Sequence, residues 1–345
     1  MAATSVKEVE NKTARRGFLK WAKSRKGQQT LIILAFTIIP LVLLAAFTYM
    51  PFVEMVKFSF YKMKYSTPVD KRVFVGWKNY IEVFRNKDIF ASLWLSLYYM
   101  VGSVVQLALA LFLATILSFK TRGGNLFKGL MFFPYLISGI AIGFIFKYFY
   151  TRGFVLDSIL GWFGFELDSL PYWLRDQKIN NWSLVATSVW RYFGNNMVLF
   201  IGAIMSVDSE MYEAAELDGA NKFQQFLHII LPSIKTIVTL NVILSITGAL
   251  SAFEQPYVIT DGANGTATYF INMNRIAHTN QKVGLASAMA VVLLLIIFAC
   301  TILQKLFFKY IYRNADQTDE VMTKEERKRR KEYIKQKKAA KKGAA

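Results

Sequence analysis

Five acidic residues, Asp208, Glu210, Glu213, Glu216 and Asp218, crowd one short polar segment of a chain whose net charge is +19. Carboxylates this dense can bind a metal, serve as acid and base, or present charge to a basic partner. The first two uses need convergent His, Cys or carboxylate groups at defined spacing. His228 and His278 lie far apart, and no such cluster has metal-ligand spacing. That leaves the presentation of charge. A second set of polar residues sits inside otherwise apolar stretches: Arg191, Asn195 and Asn196 in one, Asn241, Ser245, Thr247 and Ser251 in the next, with Glu254 just beyond. Polar groups at such positions are expensive and point to a pathway or to hydrogen bonds between helices. Both readings fit the asparagines and serines. Arg191 and Glu254 could pair with each other or face the headgroup zone. Trp190, Tyr192, Phe253 and Tyr257 stand beside them. Aromatic faces next to amides and hydroxyls suit a neutral polar solute such as a sugar, whose ring offers both C–H and O–H surfaces. No Gly-x-x-x-x-Gly-Lys-Ser/Thr phosphate loop occurs, so ATP hydrolysis by this chain is not expected.

The elements that must position these residues are apolar and long. The chain is 54% hydrophobic with 29 Phe, beyond ordinary soluble domains. A bilayer core asks for about 20 apolar residues per helix. Six stretches approach or exceed that, predicting helices near 30–50, 91–119, 127–150, 182–207, 233–257 and 283–308. The expected fold class is therefore an all-α membrane protein with six transmembrane helices. The first stretch is too long for a typical signal-peptide core, and no small-residue cleavage site clearly follows it. Cys300 is the only cysteine, which excludes an intrachain disulfide. Gly139 and Gly143 form a Gly-x-x-x-Gly pair that permits close helix packing.

Between the fourth and fifth stretches, residues 208–232 read as two helices and a turn. Asp208 is a plausible N-cap, and Glu213 to Leu217 are good helix formers. Gly219 offers the positive φ that ends a helix. Asn221 with Gln224 three residues on has the form of a capping box. Phe223, Phe226, Leu227, Ile230 and Leu231 recur at helical spacing, predicting one apolar face before Pro232. An acidic first helix and an apolar second one make a knob suited to a groove on a partner.

Charge placement bears on orientation. The tail to Lys26 holds eight Lys/Arg against two Glu, and Lys324 to Lys342 holds eleven against three. Flanking basic residues favour the cytoplasmic side, and six spans would put both tails there. Lys120, Arg122 and Lys128 agree. The loop from Pro51 to Phe90 does not: it carries eight Lys/Arg and four acids, yet would lie outside. The tails, 1–28 and 313–345, flank a six-helix unit over 29–312; they read as solvated segments or as partners of anionic lipid, not of nucleic acid.

The 208–232 segment resembles the coupling loop, the Glu-Ala-Ala motif, of permease subunits of binding-protein-dependent, ATP-driven importers. Glu213, Ala214, Ala215, Asp218, Gly219, Ala220, Phe223, Leu231 and Pro232 fall on that pattern. Further segments are similar to the carbohydrate-uptake branch, the maltose-type first permease: Phe74-Val75-Gly76 with Asn79-Tyr80, Phe133-Pro134-Tyr135, Trp190-Arg191-Tyr192, Asn196-Met197, Phe253-Glu254, and Gly284 with Ala286-Ser287-Ala288. The usual Gly-Gly-Gly-Pro run is replaced by Asp261-Gly262-Ala263-Asn264. The resemblance implies a cell-membrane, multi-pass transporter subunit with both termini cytoplasmic, and not an enzyme. It implies a second permease subunit, two ATPase subunits and an extracytoplasmic solute-binding protein as partners. ATP and Mg would belong to the ATPase, with no cofactor held by this chain. The motif residues of this chain would contact the ATPase, and a sugar or oligosaccharide would pass candidate residues Trp190, Arg191, Asn195, Asn196, Asn241, Ser245, Glu254 and Tyr257. An importer for an amino acid or polyamine, or an autonomous ion-coupled transporter, is the alternative.

Overall fold

The computed structural model describes residues 24–119 and 122–311, so the basic tails and Lys120 lie largely or wholly outside the described residues. What is described is almost entirely helical, apart from a two-stranded antiparallel ladder of β1 (Tyr61–Lys62) and β2 (Val73–Phe74). In chain order the helices are α1 (Arg25–Phe58, one π turn at Ala45–Tyr49), α2 (Lys78–Arg85), α3 (Lys87–Ser118), α4 (Gly124–Leu136), α5 (Gly139–Phe149), α6 (Val155–Trp162) and α7 (Asn180–Met205). They continue with α8 (Ser209–Leu217), α9 (Lys222–Gln225), the single turn α10 (Leu231–Ser233), α11 (Lys235–Leu250), α12 (Glu254–Thr260), α13 (Tyr269–Asn274) and α14 (Val283–Ile311).

Four of these units are long and apolar enough to cross a membrane: α1, α3, α11 with α12, and α14; the α4–α5 pair would make a fifth if it is one span. The helix α7 is long, but Asn180, Asn181, Arg191, Asn195 and Asn196 dilute its apolar character. Composition and length thus support four or five spans, where the sequence pattern predicts six.

The expected single helix over 127–150 is two helices, bent by 98° between Leu136 and Gly139. Pro134 lies inside α4, and Ile137 and Ser138 take extended backbone angles. Proline removes a helix donor and crowds the preceding turn, and the chain resumes at Gly139 in a new direction. The expected helix over 233–257 is also interrupted, since Ser251 to Phe253 leave helical hydrogen bonding before Glu254 restarts it. By contrast α3 begins four residues earlier than expected. The Asn86 side chain caps it by accepting from the N–H groups of Asp88 (3.0 Å) and Ile89 (3.3 Å).

The most extensive helix pair is α3 with α7. At one end of that pair Leu107, Ala110, Ala114 and Leu117 bury against Met197, Phe200, Ile204, Ile230 and Ile234. Near the other end, Tyr99 packs with Leu184, Val185, Ala249 and Ile259. A third cluster joins Val83 of α2 and Ile89 of α3 to Tyr269 and the first half of α14. None of the most apolar window of α1 is buried within the chain.

Candidate functional site: a polar cavity and an acidic knob

Where α3, α7, α11 and α12 converge they enclose an open cavity of about 420 Å³. Asn195 and Asn196 reach it from α7, Asn241 and Ser245 from α11, and Glu254 from the first turn of α12. Five of the eight candidate path residues are thereby brought to one place. Asn241 is held by a 2.9 Å bond from its side-chain N–H to the Ile237 carbonyl. The cavity also draws on residues the sequence reading passed over: Tyr99, Ser103 and Gln106 on α3, Ser188 on α7, and Gln255 on α12. Among the described residues, Tyr99 Oη and Gln255 Nε2 are buried with no hydrogen-bond partner. A buried donor left unpaired costs about 1–3 kcal/mol. Signal for the α3 set did exist in the sequence: Tyr99, Ser103 and Gln106 recur at helical spacing within an uncharged run.

The other three candidates stand apart from the lining. Arg191 lies behind Glu254 and donates to its carboxylate through Nη1, forming an ion pair. Its side chain is 12% exposed against 48% for Glu254, so the anion faces the opening and the cation backs it. The Arg191 guanidinium also sits 5.1 Å from the Tyr192 ring centroid. Trp190 turns away to an apolar pocket between α3, α4 and α7, and meets the Phe146 ring edge-on at 5.1 Å. Helical phase carries it off the face shared by Asn195 and Asn196, and it does not line this cavity. Tyr257 stacks on Phe253 at 4.8 Å, and it is Phe253 that lines the cavity. The break after Leu250 rotates α12, so that Tyr257 backs the wall and does not form it.

The Gly139–Gly143 pair has a specific task here. A methyl group at Gly139 would overlap the Glu254 carboxylate and the Arg191 guanidinium, and one at Gly143 would overlap Val258. The two glycines let α5 lie against α12 and the ion pair. The 98° break supplies Gly139 as the first residue of the new helix.

At the opposite end of α3 and α7, residues 208–233 form the knob. Asp208 Oδ1 accepts from the Glu210 N–H at 3.1 Å and starts α8. Gly219, at φ +78°, ends it. The Ala220 N–H then reaches the Ala215 carbonyl (2.8 Å) and the Gly219 N–H reaches that of Glu216 (3.1 Å). That pairing is a Schellman motif, which only a left-handed residue at Gly219 permits. The capping box forms reciprocally: Asn221 Oδ1 accepts from the Gln224 N–H (2.9 Å), and Gln224 Oε1 accepts from the Asn221 N–H (2.8 Å).

Lys222 Nζ donates to Glu216 across the turn. The Lys222 ammonium holds the Glu216 carboxyl below the usual carboxylate range. Lys222 also lies 5.4 Å from the Phe119 ring, which meets Tyr212 edge-on, so the knob rests on the end of α3. The second helix is not uniform. After Gln225 the chain makes a π turn over Phe226–Ile230, which shifts the phase of the apolar residues. Ile230 is buried in the core, whereas Phe223 stays exposed. Of the motif residues, Glu213, Ala214, Asp218 and Gly219 are also exposed, and Ala215, Ala220, Leu231 and Pro232 are half-buried. Leu217, which the motif comparison left out, is 90% exposed beside the turn. The knob thus turns five carboxylates outward, together with the large apolar side chains of Met211, Leu217, Phe223 and Leu227.

Residues 106–311 match the family described as the binding-protein-dependent transport system inner membrane component. The chain is similar to a probable ABC transporter permease protein, YurN, of Bacillus subtilis: 33% identical over 288 residues, covering 81% of this chain and 97% of the relative. It is 28% identical over 242 residues to AmyD of Thermoanaerobacterium thermosulfurigenes, a probable starch degradation products transport system permease, covering 68% and 80%. In three dimensions it superimposes on a chain from the crystal structure of a bacterial ABC transporter involved in the import of the acidic polysaccharide alginate. The TM-score is 0.69 at 16% identity, covering 82% of this chain and 97% of that one.

Proposed function

Because the chain belongs to the binding-protein-dependent transport system inner membrane component family, we propose that it forms, with a second permease, the path by which an extracytoplasmic binding protein delivers a sugar or oligosaccharide. It is a multi-pass membrane transport subunit and not an enzyme. In this reading α7 and the α4–α5 pair join the four apolar units as six spans, with both termini cytoplasmic. The knob docks on one of two ATPase subunits, which hold ATP and Mg.

One observation carries the choice of solute. The cavity combines amides and hydroxyls with an aromatic face at Phe253. Its single carboxylate, Glu254, is already neutralised by Arg191. Such a wall matches a hydroxyl-rich neutral ring and gives a polyamine little charge to bind. AmyD, by its name, serves starch degradation products, which agrees with that chemistry.

Transport then works through a two-state equilibrium. ATP-driven closure of the ATPases moves the knob, and α3 and α7, rooted at that end, carry the motion to the cavity. The solute binds whichever state opens the cavity toward the binding protein. The test is uptake by proteoliposomes holding the full complex, with ATP inside and loaded binding protein outside. Neutral oligosaccharides should accumulate, and amino acids and polyamines should not. Uptake of a polyamine or amino acid in place of sugars would overturn the sugar reading. Uptake without ATP would overturn the importer reading.

A further inference from the structure

The short helix α2, with Trp77 before it, presents three faces, and one of them is apolar yet largely exposed, although Trp77 touches the rings of Phe60 (5.3 Å) and Tyr80 (5.1 Å). Asn79 and Val83 are buried against the fold; Asn79 donates to the carbonyls of Ser59 (2.8 Å) and Tyr61 (3.0 Å). Lys78, Glu82 and Arg85 make a charged face. The remaining face is Trp77, Ile81 and Phe84, spaced i, i+4 and i+7, and these are 66%, 49% and 60% exposed. Residues at that spacing form one stripe. Water would favour polar side chains there, and the sequence supplies an indole, a branched alkyl and a phenyl group.

Position says what covers the stripe. The helix lies between the end of α1 at Phe58 and the start of α3 at Lys87, at the end of α3 remote from the knob. Phe84 meets Phe90 at 6.1 Å between ring centroids. From Phe90 the exposed apolar surface runs on down α3, a helix apolar enough to cross a membrane, through Trp94, Leu97 and Val101. The stripe therefore continues the exposed apolar surface of α3 around a corner. Aromatic residues favour that depth, where one side is apolar and the other wet. Beside the stripe, Lys78 and Arg85 flank an open pocket of about 430 Å³ with Ile81, Glu82 and Asn86. Its one acid, Glu82, is 3.8 Å from Lys282, which leaves the pocket wall basic.

We propose that α2 is an interfacial helix whose Trp77, Ile81 and Phe84 side chains enter the bilayer boundary, while Lys78 and Arg85 hold the phosphate of an anionic phospholipid. The proposal is independent of the solute. Amphipathic helices bind such boundaries through buried apolar area together with attraction to anionic headgroups.

The test uses the full chain with Cys300→Ser, in vesicles of phosphatidylcholine with or without phosphatidylglycerol. Spin labels go on Ile81→Cys, Phe84→Cys and, as a control, Glu82→Cys. Labels at 81 and 84 should be relaxed by oxygen more than by a water-soluble nickel chelate, and the label at 82 the reverse. Relaxation of 81 and 84 by the chelate would place the stripe in water and overturn the proposal. Shielding from both reagents would mean that protein covers it, a second copy or a partner subunit, and would overturn it equally. Phosphatidylglycerol retained on the purified unlabelled protein should fall about fivefold for each of Lys78→Gln and Arg85→Gln. Retention unchanged in the double variant would remove the headgroup site.

Discussion

At the scale of single residues, the cavity wall combines amides and hydroxyls with the carboxylate of one ion pair, Glu254 backed by Arg191. Removing a hydrogen bond in a desolvated site costs about 1–3 kcal/mol, or about a five- to 150-fold change in affinity. Asn196→Ala should therefore reduce sugar uptake by a factor in that range while basal ATPase activity of the complex is unchanged; normal uptake would exclude Asn196 from the path. Glu254→Gln keeps the shape and strands the Arg191 guanidinium. It should lower the thermal stability of the detergent-solubilised complex as well as uptake. An unchanged melting temperature with lost uptake would make Glu254 only a solute acceptor. Residue types and spacing alone selected Asn195, Asn196, Asn241, Ser245 and Glu254, because polar groups in apolar helices are conspicuous. They could not place Trp190 or Tyr257, since a helix phase and a chain break decide which way an aromatic ring turns.

At the scale of elements, the caps and the turn of the knob were legible, whereas its second helix and the spans were not. Its N-cap, Schellman turn and capping box are local devices, encoded within a few residues of where they act. The breaks at 137–138 and 251–253 escape a hydropathy pattern, because apolar content continues across them while the hydrogen-bonding direction changes. The π turn at Phe226–Ile230 escapes for a similar reason, one extra residue in a turn leaving composition untouched. Because Gly219 holds a left-handed conformation, Gly219→Asp should distort the turn, and Glu213→Lys should reverse an exposed charge. Each is expected to reduce ATP-dependent uptake at least tenfold, since about 1.4 kcal/mol of lost docking suffices. Western blotting of membranes would show both proteins at normal abundance. Wild-type transport in both would mean that the knob does not couple the ATPase.

At the scale of the whole molecule, two separated stations share one lever. Leu117 and Ile204 sit in the cluster beside the knob, while Tyr99 and Val185, further along the same two helices, sit beside the cavity. In the proposed cycle a displacement at one end of the α3–α7 pair would be carried to the other. The basic run from Lys324 lies beyond the matched residues and outside the described ones. Truncation after Thr323 should leave solute-stimulated ATPase activity of the purified complex near that of the intact one. Near-complete loss, with the complex still assembled by size-exclusion chromatography, would instead make the tail part of the engine.

The contact of Gly139 with the Arg191–Glu254 pair also constrains how this lineage can change. Three positions far apart in the chain meet in one volume, so a change at one bears on the other two. A side chain at 139 needs the pair to withdraw, and losing one charge strands the other. Descendants that enlarge 139 should have replaced both charged residues first, and the three codons should co-vary as a set across sequenced relatives. A population of relatives with Ala or Leu at 139 and an intact Arg–Glu pair would show that the helices can separate instead.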